Sequence, residues 1–121
     1  MIKLVRLDYR LLHGQVVFSW TGHVGAQRII VVDDDAANDE MKKSALLLSK
    51  PAGVRVNIFT VDKAIAKMPK VEQLDEKIMM IFGNTAALLK FCQAYPKIKE
   101  INYGAVANKP GSKAFDQSVF L

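Results

Sequence analysis

The sequence predicts an α/β protein: a mainly parallel open sheet with helices on both faces and an active loop at the carboxyl end of the first strand. Three observations carry that prediction. Short apolar, β-branched runs alternate with segments of helical period. Gly, Pro, Asp and Asn fall at the breaks between them. The spacing from one strand-like run to the next leaves room for a crossover helix, so βαβ units follow, right-handed by default.

Taken in order, Ile2 to Leu7 alternates apolar with charged residues and then turns apolar, as a first strand does. Gln15 to Val24 carries Val16, Val17, Trp20 and Val24 at helical spacing, and Gly22 and Gly25 loosen or end that helix. Arg28-Ile29-Ile30-Val31-Val32 reads as a strand buried on both faces. Asp33-Asp34-Asp35 stops it, and Asp34 or Asp35 is expected to cap one helix running to about Ser49, with Met41, Ala45, Leu46 and Leu48 as core positions. Pro51-Ala52-Gly53 is a turn, and Val54 to Phe59 a third strand. Thr60 caps a short helix from Val61 to Met68, which Pro69 is expected to break. Lys77 to Phe82 is a fourth strand, and Asn84 or Thr85 caps a helix reaching Tyr95 before Pro96. Lys99 to Tyr103 is a fifth strand, and Ser118 to Leu121 begins a sixth.

Composition narrows the class. With 121 residues, half of them hydrophobic and about a quarter charged, the chain fits one globular domain and is too apolar for a disordered one. No apolar run reaches the roughly 18 residues a membrane span needs. Arg6 interrupts the stretch that a signal peptide would keep apolar, and a lone Cys92 cannot form an internal disulfide, so a cytoplasmic location is expected. The net charge of +5 is scattered, with Lys42-Lys43 the longest basic run. A solvated basic face accounts for it, and the aromatic-basic clusters of single-strand nucleic-acid binders are lacking, so no nucleic-acid partner is expected. Two histidines and no cysteine cluster give no reason to expect a metal site, and no cofactor is called for. His23 reads as a surface or helix-end residue, and Cys92 as core.

Open α/β sheets bind ligands outside the carboxyl ends of their strands, near the point where strand order reverses. At the end of the first strand stand Arg6, Asp8, Arg10 and His13, then Gly14-Gln15-Val16. If extended geometry persists to Arg10, then Arg6, Asp8 and Arg10 share a face, while Leu7 and Tyr9 point away. Gly14 frees the chain to turn into the helix, and His13 sits just before the helix N-terminus. These types suit reversible phosphoryl transfer. Neutral imidazole is a nucleophile available at pH 7. An arginine fork matches phosphate oxygens, and free N–H groups at a helix N-terminus favour an anion. A carboxylate can hold an arginine or one ring nitrogen. Little else is required, because phosphoryl transfer depends on positioning and charge stabilisation. Alone, His13 could be structural, and Arg6, Asp8 and Arg10 could be an exposed ion-pair ladder; their combination at this sheet end is harder to dismiss. Thr60 and Gly83-Asn84-Thr85 end other strands on the same sheet edge, where they either line the site or only cap helices.

The run Val5 to Val17, Val-Arg-Leu-Asp-Tyr-Arg-Leu-Leu-His-Gly-Gln-Val-Val, resembles the phosphorylation segment of the IIB components of mannose/fructose/sorbose-type sugar phosphotransferase systems. The block from Arg28 to Glu40, with its Asp-Asp-Asp, is similar to that family's next landmark, and Pro51-Ala52-Gly53-Val54 matches as well. The resemblance spans the chain in order. It implies a phosphotransferase component whose His13 accepts a phosphoryl group on Nδ1 from phosphorylated IIA and passes it to a sugar held by the membrane IIC and IID subunits. It implies support at that site from Arg10 and Asp8, then Gly14 and Gln15, with Arg6 a lesser contributor. It also implies peripheral association with the membrane transporter, and a family domain that continues past Leu121 with further strand and helix; residues 1–121 would be one IIB domain without that part. Leu11 and Leu12 are expected to belong to the docking face around His13. The rival is a receiver-like signalling domain phosphorylated on aspartate, with Asp33, Asp34 and Asp35 as an acidic pocket; it lacks an acceptor aspartate at the end of a later strand, since Asp62 already lies in the next helix pattern.

Overall fold

The computed structural model describes residues 1–12, 15–98, 100–103 and 118–120, with the side chains of 15–18, 103 and 118–120 left aside. The elements are β1 (Ile2–Leu7), α1 (Gln15–Val24), β2 (Arg28–Val32), α2 (Asp34–Ala37), α3 (Glu40–Leu48), β3 (Arg55–Phe59), α4 (Val61–Val71), β4 (Ile78–Phe82), α5 (Thr85–Ala94), β5 (Glu100–Tyr103) and β6 (Ser118–Phe120). They build one sheet in the order β3-β2-β4-β1-β5-β6. The first five strands run parallel, and β6 pairs antiparallel with β5 at the edge. Five parallel strands with helices between them are what the alternating pattern predicts.

Strand alternation divides the interior into two layers. Leu7, Ile30, Val32, Ile78, Met80 and Phe82 pack with Val61, Met68, Leu88 and Phe91, which puts α4 and α5 on one face. Ile29, Val31, Met79 and Ile81 pack with Trp20, Ala36 and Leu46, which puts α1, α2 and α3 on the other. Every residue of β4 is inaccessible to solvent. That is why Ile78-Met79-Met80-Ile81-Phe82 reads as an unbroken apolar run rather than an alternating one.

Two expectations are corrected here. The segment after β2 forms two helices, not one. Asp33 caps α2 through Ala36 N–H (2.9 Å), and Asp39, after the break at Asn38, caps α3 through Met41 and Lys42 N–H. Only Leu46 of the expected core positions is buried; Met41 and Leu48 are more than four-fifths exposed, and Ala45 is exposed too. Past the break at Asn38, Leu46 is the residue that α3 buries in the core. The other correction concerns α4, which continues through Pro69 to Val71. Pro69 lies on the exposed side of the helix, while Met68 and Val71 beside it are buried, so packing holds the last turn against the lost hydrogen bond.

Candidate functional site at the carboxyl ends of β1 and β4

The chain leaves β1 and β2 toward the β3 edge of the sheet, and leaves β3 and β4 toward the β6 edge. The outgoing connections of the neighbours β1 and β4 therefore diverge to opposite faces, leaving a crevice between their carboxyl ends. Leu7 pairs with Phe82 and Val32 with Phe82, so Asp8, Gly83 and Asp33 follow at one level across three strands. Asp8 N–H donates to Phe82 C=O (2.9 Å), and Gly83 N–H to Val32 C=O (3.3 Å).

Asp8 is the centre of this level. It is wholly buried, and both of its oxygens are engaged. Arg10 grips it side-on, with Nε donating to Oδ1 and Nη2 to Oδ2, both at 3.0 Å, and Arg10 backbone N–H adds a third bond to Oδ1 at 3.0 Å. Arg6, almost as deeply buried, approaches Oδ2 through Nε and Nη2, each at 3.3 Å. Burial pushes the Asp8 carboxyl up, but the hydrogen bonds from Arg10 and the charges of Arg10 and Arg6 more than reverse this and hold it below its ordinary value. Arg10 is raised in turn by its bonds to Asp8. Arg6 also donates through Nη1 to Asn102 Oδ1 and lies 5.9 Å from the centre of the Trp20 ring.

Arg6, Asp8 and Arg10 therefore meet as expected, although not by continued strand geometry. β1 ends at Leu7, and the chain turns through Tyr9 and Arg10, closed by Leu11 N–H to Asp8 C=O (3.0 Å). The carboxylate of Asp8 accepting from Arg10 N–H makes the same turn from the side-chain side. Leu11 then takes a left-handed conformation (φ 55°), which costs a non-glycine residue about 1 kcal/mol. That reversal sends Leu11 and Leu12 into the core beside Ala26, Ile29 and Leu46. They are buried, so the expectation that they form a docking surface is corrected; Tyr9 is the exposed apolar residue of this turn.

Because Arg10 uses Nε and one Nη2 hydrogen on Asp8, the end-on pair of its guanidinium points away from that carboxylate. The Arg10 side chain is about one-third exposed and opens onto a groove of about 470 Å³ lined with Tyr9, Leu11, Asp33, Lys42 and Asn84. A larger depression, about 680 Å³, lies at the amino end of β1 near Tyr95 and Glu72, away from the crevice. His13 and Gly14 lie outside the described residues, as does the side chain of Gln15. His23 is exposed on α1, edge-on to Trp20.

The acidic run does not converge on a cation pocket. Asp33 caps α2, Asp34 accepts from Val61 N–H at the start of α4 (2.8 Å), and Asp35 pairs with Lys42. Among the described residues no group of three or more His, Cys, Asp or Glu is arranged to hold a metal ion. Thr60 and Asn84 cap α4 and α5 through Lys63 and Ala87 N–H. Asn84 also lines the groove, whereas Thr60 is not among its lining residues. Sequence reasoning passed over Asn102 and Trp20, the partners of Arg6; no local signal marks residues that meet Arg6 only through the fold.

A crevice at the strand-order switch, with an arginine fixed by a buried carboxylate and lining a groove, is an arrangement suited to handling an anion. Residues 2–121 match the family of PTS system sorbose subfamily IIB components. The sorbose-specific EIIB component of Klebsiella pneumoniae is 36% identical over 120 residues, covering 99% of this chain and 73% of that protein. The crystal structure of the IIBSor domain of the Klebsiella pneumoniae sorbose permease superposes with a TM-score of 0.84, at 36% identity, over all of this chain and 74% of that one. The manxB structure from Thermoanaerobacter tengcongensis superposes with a TM-score of 0.85 at 33% identity, over 100% and 73%. The chain belongs to the sorbose subfamily of PTS IIB components, in the mannose/fructose/sorbose group. It is thus a sugar phosphotransferase component with a phosphocarrier role in sugar uptake. Among the described residues no helix is long and apolar enough to cross a membrane.

Proposed function

We propose that His13 is the phosphoryl carrier of this IIB domain, receiving the group from phosphorylated IIA and delivering it to a sugar presented by membrane IIC and IID subunits. The observation that carries this reading is the Asp8–Arg10 pair: an arginine held side-on by a buried carboxylate, three residues before His13 in the sequence, and itself lining a groove. In the first step the Nδ1 lone pair attacks phosphorus and the P–N bond to the IIA imidazole breaks. In the second a sugar hydroxyl attacks, the P–Nδ1 bond breaks, and the hydroxyl proton is released. Charge on the phosphoryl oxygens is stabilised by the end-on face of Arg10 and by N–H groups at the start of α1, with Gly14 and Gln15 at that junction. Asp8 fixes Arg10, and Arg6 holds Asp8 from behind. The domain works in the cytoplasm, docked on the transporter.

The test is chemical. Protein labelled from phospho-IIA should carry its label on His13. A phosphoramidate has a leaving nitrogen that acid protonates, so the label should be lost quickly at low pH and survive alkali. An acyl phosphate on aspartate would instead be lost in alkali. Label that withstands acid, or maps elsewhere, ends the proposal.

Arg10 supplies a graded prediction. Arg10→Ala should slow transfer from phospho-IIA on the order of 10²-fold, the usual cost of removing one donor from charge developing in a transition state. Arg10→Lys should fall between, keeping charge but losing the two-point fork. Unchanged transfer by Arg10→Ala in stopped-time labelling would remove Arg10 from the site.

A further inference from the structure

Gly83 directly follows β4 at the crevice, and its backbone φ is not in the left-handed region, unlike Gly25 (66°) and Gly53 (78°). Conformational freedom therefore does not explain a glycine here; space does. A Cβ built on Gly83 would stand 2.3 Å from Asp33 Oδ1, 2.9 Å from Asp33 Cγ and 3.1 Å from Leu11 Cδ2. The first two distances are shorter than any tolerated carbon contact, and the third leaves no slack. Neither wall yields freely. The Asp33 carboxylate is tied through Oδ2 to Ala36 N–H, and the Leu11 side chain is buried in the layer beneath α2 and α3. Leu11 is also the left-handed residue that turns the chain from Arg10 toward Leu12 and position 13.

We infer that Gly83 is a positioning residue for the phosphoryl-carrying loop: its missing side chain is the seat on which Leu11 rests, with Asp33 as the fixed wall behind. The inference rests on His13 being the acceptor. Leu11 follows Arg10 directly and precedes His13 by two residues, so an object wedged between β4 and Leu11 moves both functional groups together. Closely packed interiors transmit such a displacement rather than absorb it. The rigid-seat geometry ties the loop to β4, the most buried strand of the sheet, rather than to solvent-exposed turns.

The experiment is single-turnover transfer from phosphorylated IIA, with IIA concentration varied and folding followed in parallel by urea denaturation. Gly83→Ala should lower the rate at saturating IIA at least tenfold and leave the half-saturating concentration unchanged, because the loop is misplaced while the docking surface is not. Adding Asp33→Gly should restore most of that rate, since it clears the wall and glycine is tolerated at a helix N-cap. If Gly83→Ala does not fold, Leu11→Gly is the second arm. It cannot clash, it is at ease at positive φ, and it removes the seated side chain, so it too should lower the saturating rate. A Gly83→Ala protein that transfers at the parent rate, a double variant as slow as the single, or a Leu11→Gly protein at the parent rate would each overturn the inference. The two readings fail separately. Parent label that maps away from His13 removes the acceptor assignment, whereas label on His13 with a fast Gly83→Ala removes only the seat.

Discussion

Replacing His13 by glutamine is expected to reduce labelling from phospho-IIA to background while leaving the unfolding free energy from urea denaturation within about 0.5 kcal/mol of the parent. Glutamine approximates the size and hydrogen-bonding reach of histidine but offers no nucleophilic nitrogen, so the loss reads out chemistry rather than folding. His23→Gln is the matched control. His23 is exposed on α1 and touches only the Trp20 edge among the contacts described, so its replacement should leave labelling at the parent level. Label retained by the His13 variant and lost by the His23 variant would exchange their roles. Label retained by both would move the search to another residue type altogether.

The largest effect on stability is expected at Asp8. Asp8→Asn leaves the buried Arg6 guanidinium, about 5% exposed, without its counter-charge; Arg10, about one-third exposed, can turn toward water. Removing one partner of a buried pair costs about 3–5 kcal/mol, which for a chain of this size lowers Tm on the order of 10 °C or more. The urea midpoint should fall with little change in slope. Adding Arg6→Met should recover part of the loss by removing the stranded charge, so the double-mutant cycle reports the coupling directly. The pH dependence has a defined sign. The folded-state pKa of Asp8 lies below its ordinary value of 3.8. Its contribution is therefore fully present above that value and lost as pH falls through the lower folded one. Acid titration of the parent should show this loss, and Asp8→Asn should lack it. An Asp8→Asn protein as stable as the parent would show that the pair contributes nothing net.

Most of the sheet was legible because burial on both faces writes itself as β-branched or unbroken apolar runs: Arg28 to Val32 and Ile78 to Phe82 were located almost to the residue. The first helix and the caps Thr60 and Asn84 were legible for the same local reason. Three adjacent aspartates offered more than one equivalent cap, so local reasoning chose the wrong one and overlooked Asp39 as a second start. Pro69 has a strong local meaning that burial of Met68 and Val71 overrode. The meeting of Arg6, Asp8 and Arg10 was foreseen from their alternation, but the turn that brings Arg10 back was not, because it depends on left-handed Leu11. The need for glycine at position 83 was invisible, since its two neighbours lie 50 and 72 positions away in the chain.

The strand order also dictates when this site can exist. Among the described strands β1 is hydrogen-bonded to β4 and β5, whereas β2 finds β3 a short distance along the chain. On a ribosome adding roughly 5–20 residues per second, the stretch from Leu7 to Phe82 takes on the order of 4–15 s to appear. Until then β1 has no ladder partner, and Asp8 has no Phe82 carbonyl to anchor it. The β2–β3 half can begin to organise while the nascent N-terminus still waits, with its segment of two arginines and an aspartate in water. Closing that long loop is the entropic step that folding must cross. The turn that carries Asp8 and Arg10 therefore gains its anchor only once Phe82 has been made, although its own residues are among the first of the chain.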